Sequence, residues 1–199
     1  MSKASFELFR GQLLGAKLYL PLQALAVAEE AHEGVFRKDG VTPYIEHPMK
    51  VASLLFDLGC RDETVLSAAI LHDVIEDSKI TIIDLDNKYG LPTGNGLLGD
   101  VSRLSKNNYD TTEEYYAEIQ KSPVATIVKL ADRCHNLSTL YNFTDEKKIK
   151  YLQETETYVY PLIKYAQHHY YEYSSLVRIF DLWIESLVSN IKSCMKLDK

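Results

Sequence analysis

Apolar side chains recur along most of this chain at intervals of three and four residues, which places them on one face of an α-helix. The strict alternation of apolar and polar residues that is typical of a strand is hard to find. The pattern therefore predicts an all-α fold, a single-domain helical bundle over residues 1–199 with about eight to ten helices.

Residues that begin and end helices refine this prediction. Pro21 and Pro123 suit the first turn of a helix, because a proline there lacks an N–H that would have no partner in any case. Asp62, Thr81 and Ser122 have side chains that can cap a helix N-terminus. These signals predict helices over residues 5–18, 22–35, 47–58, 62–76, 81–90 and 122–140, two more within 145–195, and loops at 37–44 and 91–96.

Composition and charge limit the function classes. With 46% hydrophobic and 25% charged residues, the chain has the makeup of a globular protein with a substantial core. The formal net charge of −6 argues against a nucleic-acid partner, since such binding needs a broad array of Lys and Arg. An anionic small molecule stays open, because a local basic pocket or a metal ion is enough to bind it.

Cysteine usage and the apolar segments indicate a cellular setting. Cys60, Cys134 and Cys194 are far apart and form no C-x-x-C pair, which favours a reduced compartment over a zinc or dithiol site. The first residues do not resemble a signal peptide, and no run of about 18 apolar residues follows. We therefore expect a cytoplasmic protein with no membrane partner, of open oligomeric state.

The stretch AILHDVIED, residues 69–77, carries four titratable side chains among branched aliphatic ones. On a regular helix His72 and Glu76 lie four residues apart, as do Asp73 and Asp77, so all four can share one face. Each of them alone is more often a hydrogen-bonded core histidine or a solvated carboxylate. Together they are costly to bury unless a cation or hydrogen-bond donors compensate them, so the cluster indicates a site.

A second polar group occurs in IVKLADRCHNLSTL, residues 127–140. Asp132, Arg133 and Asn136 follow Lys129 at spacings of three, four and seven, which lines them along one helical face. A solvated polar stripe is the ordinary alternative for this helix alone. His47, in PYIEHP, is a third candidate, although a histidine at a helix start is often only a cap.

The combination H, HD and D, read as His47, His72-Asp73 and Asp132, resembles the signature of HD-domain metal-dependent phosphohydrolases. The segments RKDGVTPYIEHPMKVASLL, AAILHDVIEDSKIT and IVKLADRCHNLSTL are similar to successive motifs of the guanosine tetraphosphate hydrolase domain of RelA/SpoT homologues. The similarity runs over about residues 25–165. Because the chain is too short for the synthetase domain of the long members, it resembles the stand-alone small alarmone hydrolases, including the metazoan SpoT homologue.

The resemblance implies a site and a reaction. The implied metal ligands are His47, His72, Asp73 and Asp132, which suit a borderline-hard divalent ion, and the family implies Mn²⁺. Glu76 and Asp77 would orient or deprotonate the attacking water. The expected reaction removes the 3′-pyrophosphate of guanosine tetra- or pentaphosphate and yields GDP or GTP. The implied substrate contacts are Arg37, Lys38, Lys129, Asn136 and Thr139.

Some positions depart from the family pattern. Cys134 stands where Leu is usual, which we expect to be harmless. Ser138 stands where Arg is frequent, and there we expect a weakened or changed phosphate contact. The segment between Arg37-Lys38 and the histidine is one residue longer than in the long enzymes. We expect His32 and His135, which lie near the motifs, to be structural.

Two other functions stay open. An HD phosphohydrolase acting on another nucleotide, such as the 2′-phosphate of NADPH, a deoxynucleoside triphosphate or a related alarmone, would have the same catalytic centre. A non-catalytic alarmone-binding or antitoxin module would keep the fold without turnover. Degenerate domains of that kind usually lose a metal ligand or the Glu-Asp pair, and here all of those positions are filled.

Overall fold

The computed structural model describes residues 3–37, 40–94 and 96–195, and it confirms the all-α fold. Within these residues there is no strand, and an isolated antiparallel bridge pairs Phe36 with Pro43. The α-helices are Lys3–Gly15 (α1), Tyr19–Ala31 (α2), Glu46–Asp57 (α3), Glu63–Leu71 (α4), Val74–Asp77 (α5), Ile82–Asn87 (α6), Leu97–Leu104 (α7), Thr112–Ile119 (α8), Pro123–Ser138 (α9), Asp145–Glu154 (α10), Tyr160–His169 (α11) and Ser174–Met195 (α12).

The chain divides into two compact units, Met1–Tyr115 and Tyr116–Lys199. In the first unit α4 is the central helix, against which α2, α3 and α7 pack. Every residue from Val65 to Leu71 is buried, as expected for a helix that is apolar nearly all round. The predicted cap is confirmed, since the Asp62 carboxylate accepts the backbone N–H of Thr64 at 2.8 Å.

The helix expected over residues 62–76 is interrupted at His72 and Asp73, which form a turn between α4 and α5. In an uninterrupted helix the Ala69 carbonyl oxygen would accept the N–H of Asp73. Here that oxygen lies 2.8 Å from Nδ1 of the His72 ring. The His72 side chain therefore competes with the Asp73 backbone N–H for the Ala69 carbonyl oxygen at the point where the helix ends.

In the second unit α9 packs against α11 and α12. The start of α9 is as expected, with Pro123 in the first turn and the Ser122 hydroxyl accepting the N–H of Ala125 at 3.1 Å. A π-helical turn, Thr155–Val159, joins α10 to α11. The two helices expected within 145–195 are thus α10–α11, with this widened turn between them, and α12.

Arg133 departs from the polar face on which the sequence pattern places it. Its side chain is buried, and its Nη2 donates to Glu154 Oε1 at 2.5 Å and to the Tyr116 hydroxyl at 2.9 Å. Burial raises the pKa of Tyr116 to about 12, although the positive charges of Lys129 and Arg133 act in the opposite direction. The ion pair between Arg133 and Glu154 therefore connects α9 with α10 inside the second unit, and Arg133 has a structural role.

Glu154→Ala tests this role. Removing the carboxylate leaves the Arg133 guanidinium buried without its counter-charge, so we expect the free energy of unfolding to fall by about 3–5 kcal/mol in urea titrations followed by circular dichroism. The matched control is Glu118→Ala, which removes a partner of the more exposed Lys121, and it should cost less than about 1 kcal/mol. Equal losses in the two variants would contradict the assignment.

Candidate metal centre

Three side chains of the ligand type converge in the first unit. Nε2 of His47 lies 3.2 Å from Nε2 of His72, and the Asp73 carboxylate lies 3.2 Å from the His72 nitrogen and 3.5 Å from the His47 nitrogen. One ligand atom from each residue lies within 4.8 Å of the others. Both histidines are buried and Asp73 is half-buried, so the carboxylate is the most exposed of the three groups.

Local structure explains how the two imidazoles are aimed. His47 is the second residue of α3, and α3 packs directly on α4. His72 follows the last residue of α4, where its Nδ1 contacts the Ala69 carbonyl oxygen. A carbonyl oxygen can only accept, so Nδ1 is the donor in this contact, and Nε2 is the ring nitrogen that faces the centre. Nitrogen lone pairs beside a carboxylate are a donor set that fits a divalent cation.

Tyr44 connects this cluster to a further carboxylate. Its hydroxyl oxygen lies 2.9 Å from Asp73 Oδ2 and 2.5 Å from Asp77 Oδ2. Burial and the nearby carboxylates raise the pKa of the Tyr44 phenol well above its usual range, so it stays a hydroxyl. The sequence reasoning missed Tyr44, although its position three residues before His47 at a helix start is a signal that was available.

Glu76 is held from another direction. Its Oε2 accepts the backbone N–H of Lys106 at 2.9 Å, in the connection that follows α7. The structure thus relates Asp77 to Asp73 through Tyr44 and relates Glu76 to the segment after α7. The sequence pattern predicted that the four titratable side chains share one face of a regular helix. The structure revises this prediction, because the chain forms a turn at His72 and Asp73.

The second unit groups three of the predicted residues around one carboxylate. Asp132, in the middle of α9, is buried, and Lys129 Nζ donates to its Oδ2 at 2.9 Å. Asn136 Nδ2 donates to its Oδ1 at 2.5 Å. Thr139, just after α9, donates from its hydroxyl to backbone carbonyls of the last helical turn. The predicted polar face therefore exists for Lys129, Asp132 and Asn136.

The loop before α3 carries the remaining candidates. Arg37 is half-buried, and its backbone N–H donates to the Thr42 carbonyl at 2.7 Å. Lys38 lies outside the described residues. Ser138, the position that departs from the family pattern, donates from its hydroxyl to the His135 carbonyl at 2.7 Å.

The helical fold and the His/His/Asp cluster define a metal-binding domain of the HD type. Residues 24–163 match the HD domain family, and the chain belongs to this family. An HD domain implies a divalent metal ion, and the cluster of His47, His72 and Asp73 is a possible site for it. None of the helices in the described part of the chain is both long and apolar enough to cross a membrane.

Curated relatives share this domain as part of longer chains. A probable guanosine-3′,5′-bis(diphosphate) 3′-pyrophosphohydrolase of Synechocystis sp. is 39% identical over 148 residues, covering 70% of this chain and 19% of the relative. The bifunctional (p)ppGpp synthase/hydrolase SpoT of Escherichia coli is 36% identical over 156 residues, covering 74% and 22%. The chain therefore spans about a fifth of the length of the relatives that it matches.

A solved structure supports the fold. It is described as a metazoan ortholog of SpoT that hydrolyses ppGpp and plays a role in starvation responses. The match has a TM-score of 0.66 at 24% identity and covers 86% of this chain and 94% of that chain. At this identity the likeness shows that the two proteins share the helical architecture.

His72→Ala tests the metal centre directly. Since even the outer hydrogen-bond partners of metal ligands are worth about 10- to 100-fold in affinity, loss of a ligand should weaken binding of a divalent probe ion at least about 100-fold. The measurement is a calorimetric titration of metal-stripped protein with Mn²⁺ as the probe. The matched control is His168→Ala, because Nδ1 of His168 also contacts a backbone carbonyl, that of Lys164 at 2.7 Å, on an exposed part of α11. Parent-like affinity in His72→Ala would refute the centre.

Proposed function

We propose that this protein hydrolyses guanosine tetra- or pentaphosphate, removing the 3′-pyrophosphate to leave GDP or GTP. The observation that carries the proposal is the convergence of His47, His72 and Asp73, in a chain whose relatives are named for this reaction over about 150 shared residues. The family match runs from residue 24 to residue 163, through both compact units, which supports the expectation of one HD domain.

The proposed metal set is His47, His72, Asp73 and Asp132. The first three rest on their geometry, and Asp132 rests on the family motif. A set of two imidazoles and two carboxylates without thiolates supports Mn²⁺ as the ion. When bound, such an ion supplies Lewis acidity toward a phosphoryl oxygen and lowers the pKa of a water molecule toward neutrality.

The proposed water-handling residues are Glu76 and Asp77, which end α5 directly after the metal-ligand pair. Their carboxylates would orient the attacking water and accept its proton. The hydrogen bond from Lys106 restricts the rotamers of Glu76, and the Tyr44 hydroxyl does the same for Asp77. Both side chains are thus pre-positioned, which reduces the entropy lost when the reacting groups are brought into line.

The proposed substrate contacts are Arg37, Lys38, Lys129, Asn136 and Thr139. A planar guanidinium such as that of Arg37 is suited to stack on a guanine base. Lysine ammonium groups at positions 38 and 129 would offset phosphate charge. Asn136 and Lys129 both contact Asp132 in this structure, so substitutions at these two positions should change metal and substrate binding together.

Hydrolysis of a different nucleotide is the strongest alternative function. Ser138 donates its hydroxyl to its own helix end and brings no positive charge where the family often has Arg. A binding site with less positive charge for phosphate favours a less anionic ligand, such as a dinucleotide that carries a 2′-phosphate. A panel of guanosine tetraphosphate, NADPH and deoxynucleoside triphosphates, assayed with Mn²⁺, decides by the ratio of kcat/KM values.

The main test follows pyrophosphate released from guanosine tetraphosphate. Chelation should abolish release and Mn²⁺ should restore it, because the ion supplies the activated water. Glu76→Gln should lower kcat about 100- to 10,000-fold, as expected for loss of a general base. Glu118→Gln, a surface carboxylate in an ion pair on α8, is the matched control and should behave like the parent protein.

Two results would contradict the proposal. One is parent-like turnover by Asp73→Asn or Glu76→Gln. The other is tight calorimetric binding of guanosine tetraphosphate by the Mn²⁺-loaded parent with no release of pyrophosphate, which would identify an alarmone-binding or antitoxin module.

A further inference from the structure

We propose that Tyr44 is a positioning residue of this site, whose hydroxyl holds the Asp73 and Asp77 carboxylates in a defined relative placement. Tyr44 lies outside the H, HD and D signature, and its role would couple the metal ligand to the water-handling carboxylate. The kinetic part of this inference rests on the proposed hydrolase function, whereas the metal-affinity part does not.

The geometry is that of a bridge. Asp73 lies in the turn before α5 and Asp77 is the last residue of α5, yet one oxygen of each carboxylate lies within hydrogen-bonding distance of the same phenol oxygen. Two carboxylates brought this close repel each other unless a donor or a cation lies between them. The Tyr44 hydroxyl supplies one donor hydrogen, which the two carboxylates share, and its removal would leave the two side chains free to separate.

Tyr44 is itself held rigidly enough for this role. Its backbone N–H donates to the Val35 carbonyl at 2.9 Å, and its carbonyl accepts the N–H of His47 at 3.0 Å. The same short segment therefore places both the phenol and the first histidine of the metal cluster. The Tyr44 hydroxyl therefore keeps Asp77 at a fixed position relative to the metal cluster, because a shift of this segment moves the phenol and His47 together.

The ring of His32 supports the phenol from the side. It lies 4.9 Å from the Tyr44 ring, centroid to centroid, and is only 2% exposed. Neither of its ring nitrogens has a hydrogen-bond partner among the described residues. Burial lowers the pKa of His32, which favours the neutral ring, so its contribution is packing against Tyr44. This agrees with the expectation that His32 is structural.

The decisive variant is Tyr44→Phe, which removes only the hydroxyl. Outer hydrogen-bond partners of metal sites are worth about 10- to 100-fold, so kcat and Mn²⁺ affinity should each fall within that range. The KM for guanosine tetraphosphate should change less than about twofold, because the phenol holds the reacting groups and not the substrate. The matched control is Tyr115→Phe, which loses a buried hydroxyl that donates to the Leu104 carbonyl at 3.1 Å.

A double-mutant cycle separates positioning from general structural damage. If Tyr44 acts through Asp77, then Asp77→Asn combined with Tyr44→Phe should be about as slow as Asp77→Asn alone. Multiplicative losses would overturn the inference. So would parent-like kcat and Mn²⁺ affinity in Tyr44→Phe, or a parallel drop in activity and thermal midpoint in Tyr44→Phe and Tyr115→Phe.

Failure of the proposed function is distinguishable from failure of this inference. If the parent protein hydrolyses no nucleotide of the panel, the function is refuted, and calorimetric Mn²⁺ titrations still compare the two phenylalanine variants. Weaker binding in Tyr44→Phe than in Tyr115→Phe then supports the bridge, and equal binding overturns it.

Discussion

The contact between His72 Nδ1 and the Ala69 carbonyl oxygen is the interaction on which the candidate metal centre depends. It ends α4 at Leu71, and it turns the other ring nitrogen of His72 toward His47 and Asp73. A helix that continued through this point would carry its side chains along a straight face. The interruption instead collects two imidazoles and a carboxylate at the end of a buried helix.

The apolar surroundings then give this cluster its chemical character. Because α4 is buried from Val65 to its last residue, Leu71, the polar groups at its C-terminus are only partly hydrated, and unpaired charge there is costly. The partial negative charge of a helix C-terminus and the Asp73 carboxylate both favour a cation. Tyr44 extends the cluster to Asp77, and the backbone of Lys106 holds Glu76. Burying these polar groups costs stability when no ion is present, and the same burial favours the binding of a divalent ion.

In the second unit, two neighbouring residues of α9 make different kinds of contact. Asp132 is contacted by Lys129 and Asn136, one helical turn to either side of it, and belongs to the family motif. Arg133, the next residue, is buried against Glu154 and fastens α9 to α10. A substitution at Arg133 therefore changes packing, whereas one at Asp132 removes the carboxylate that Lys129 and Asn136 contact and that we propose as a metal ligand.

Helical periodicity and capping residues alone predicted the all-α fold and the N-cap of α4 at Asp62, because these depend on local backbone preferences. The resemblance to the HD signature also marked His47, His72 and Asp73, and the structure brings these three side chains together. Only the tertiary structure placed Arg133 in a buried ion pair and Tyr44 between two carboxylates, and it interrupted the helix at His72. Those outcomes depend on which groups meet across the fold, and periodicity along one helix contains no information about the partner on another element.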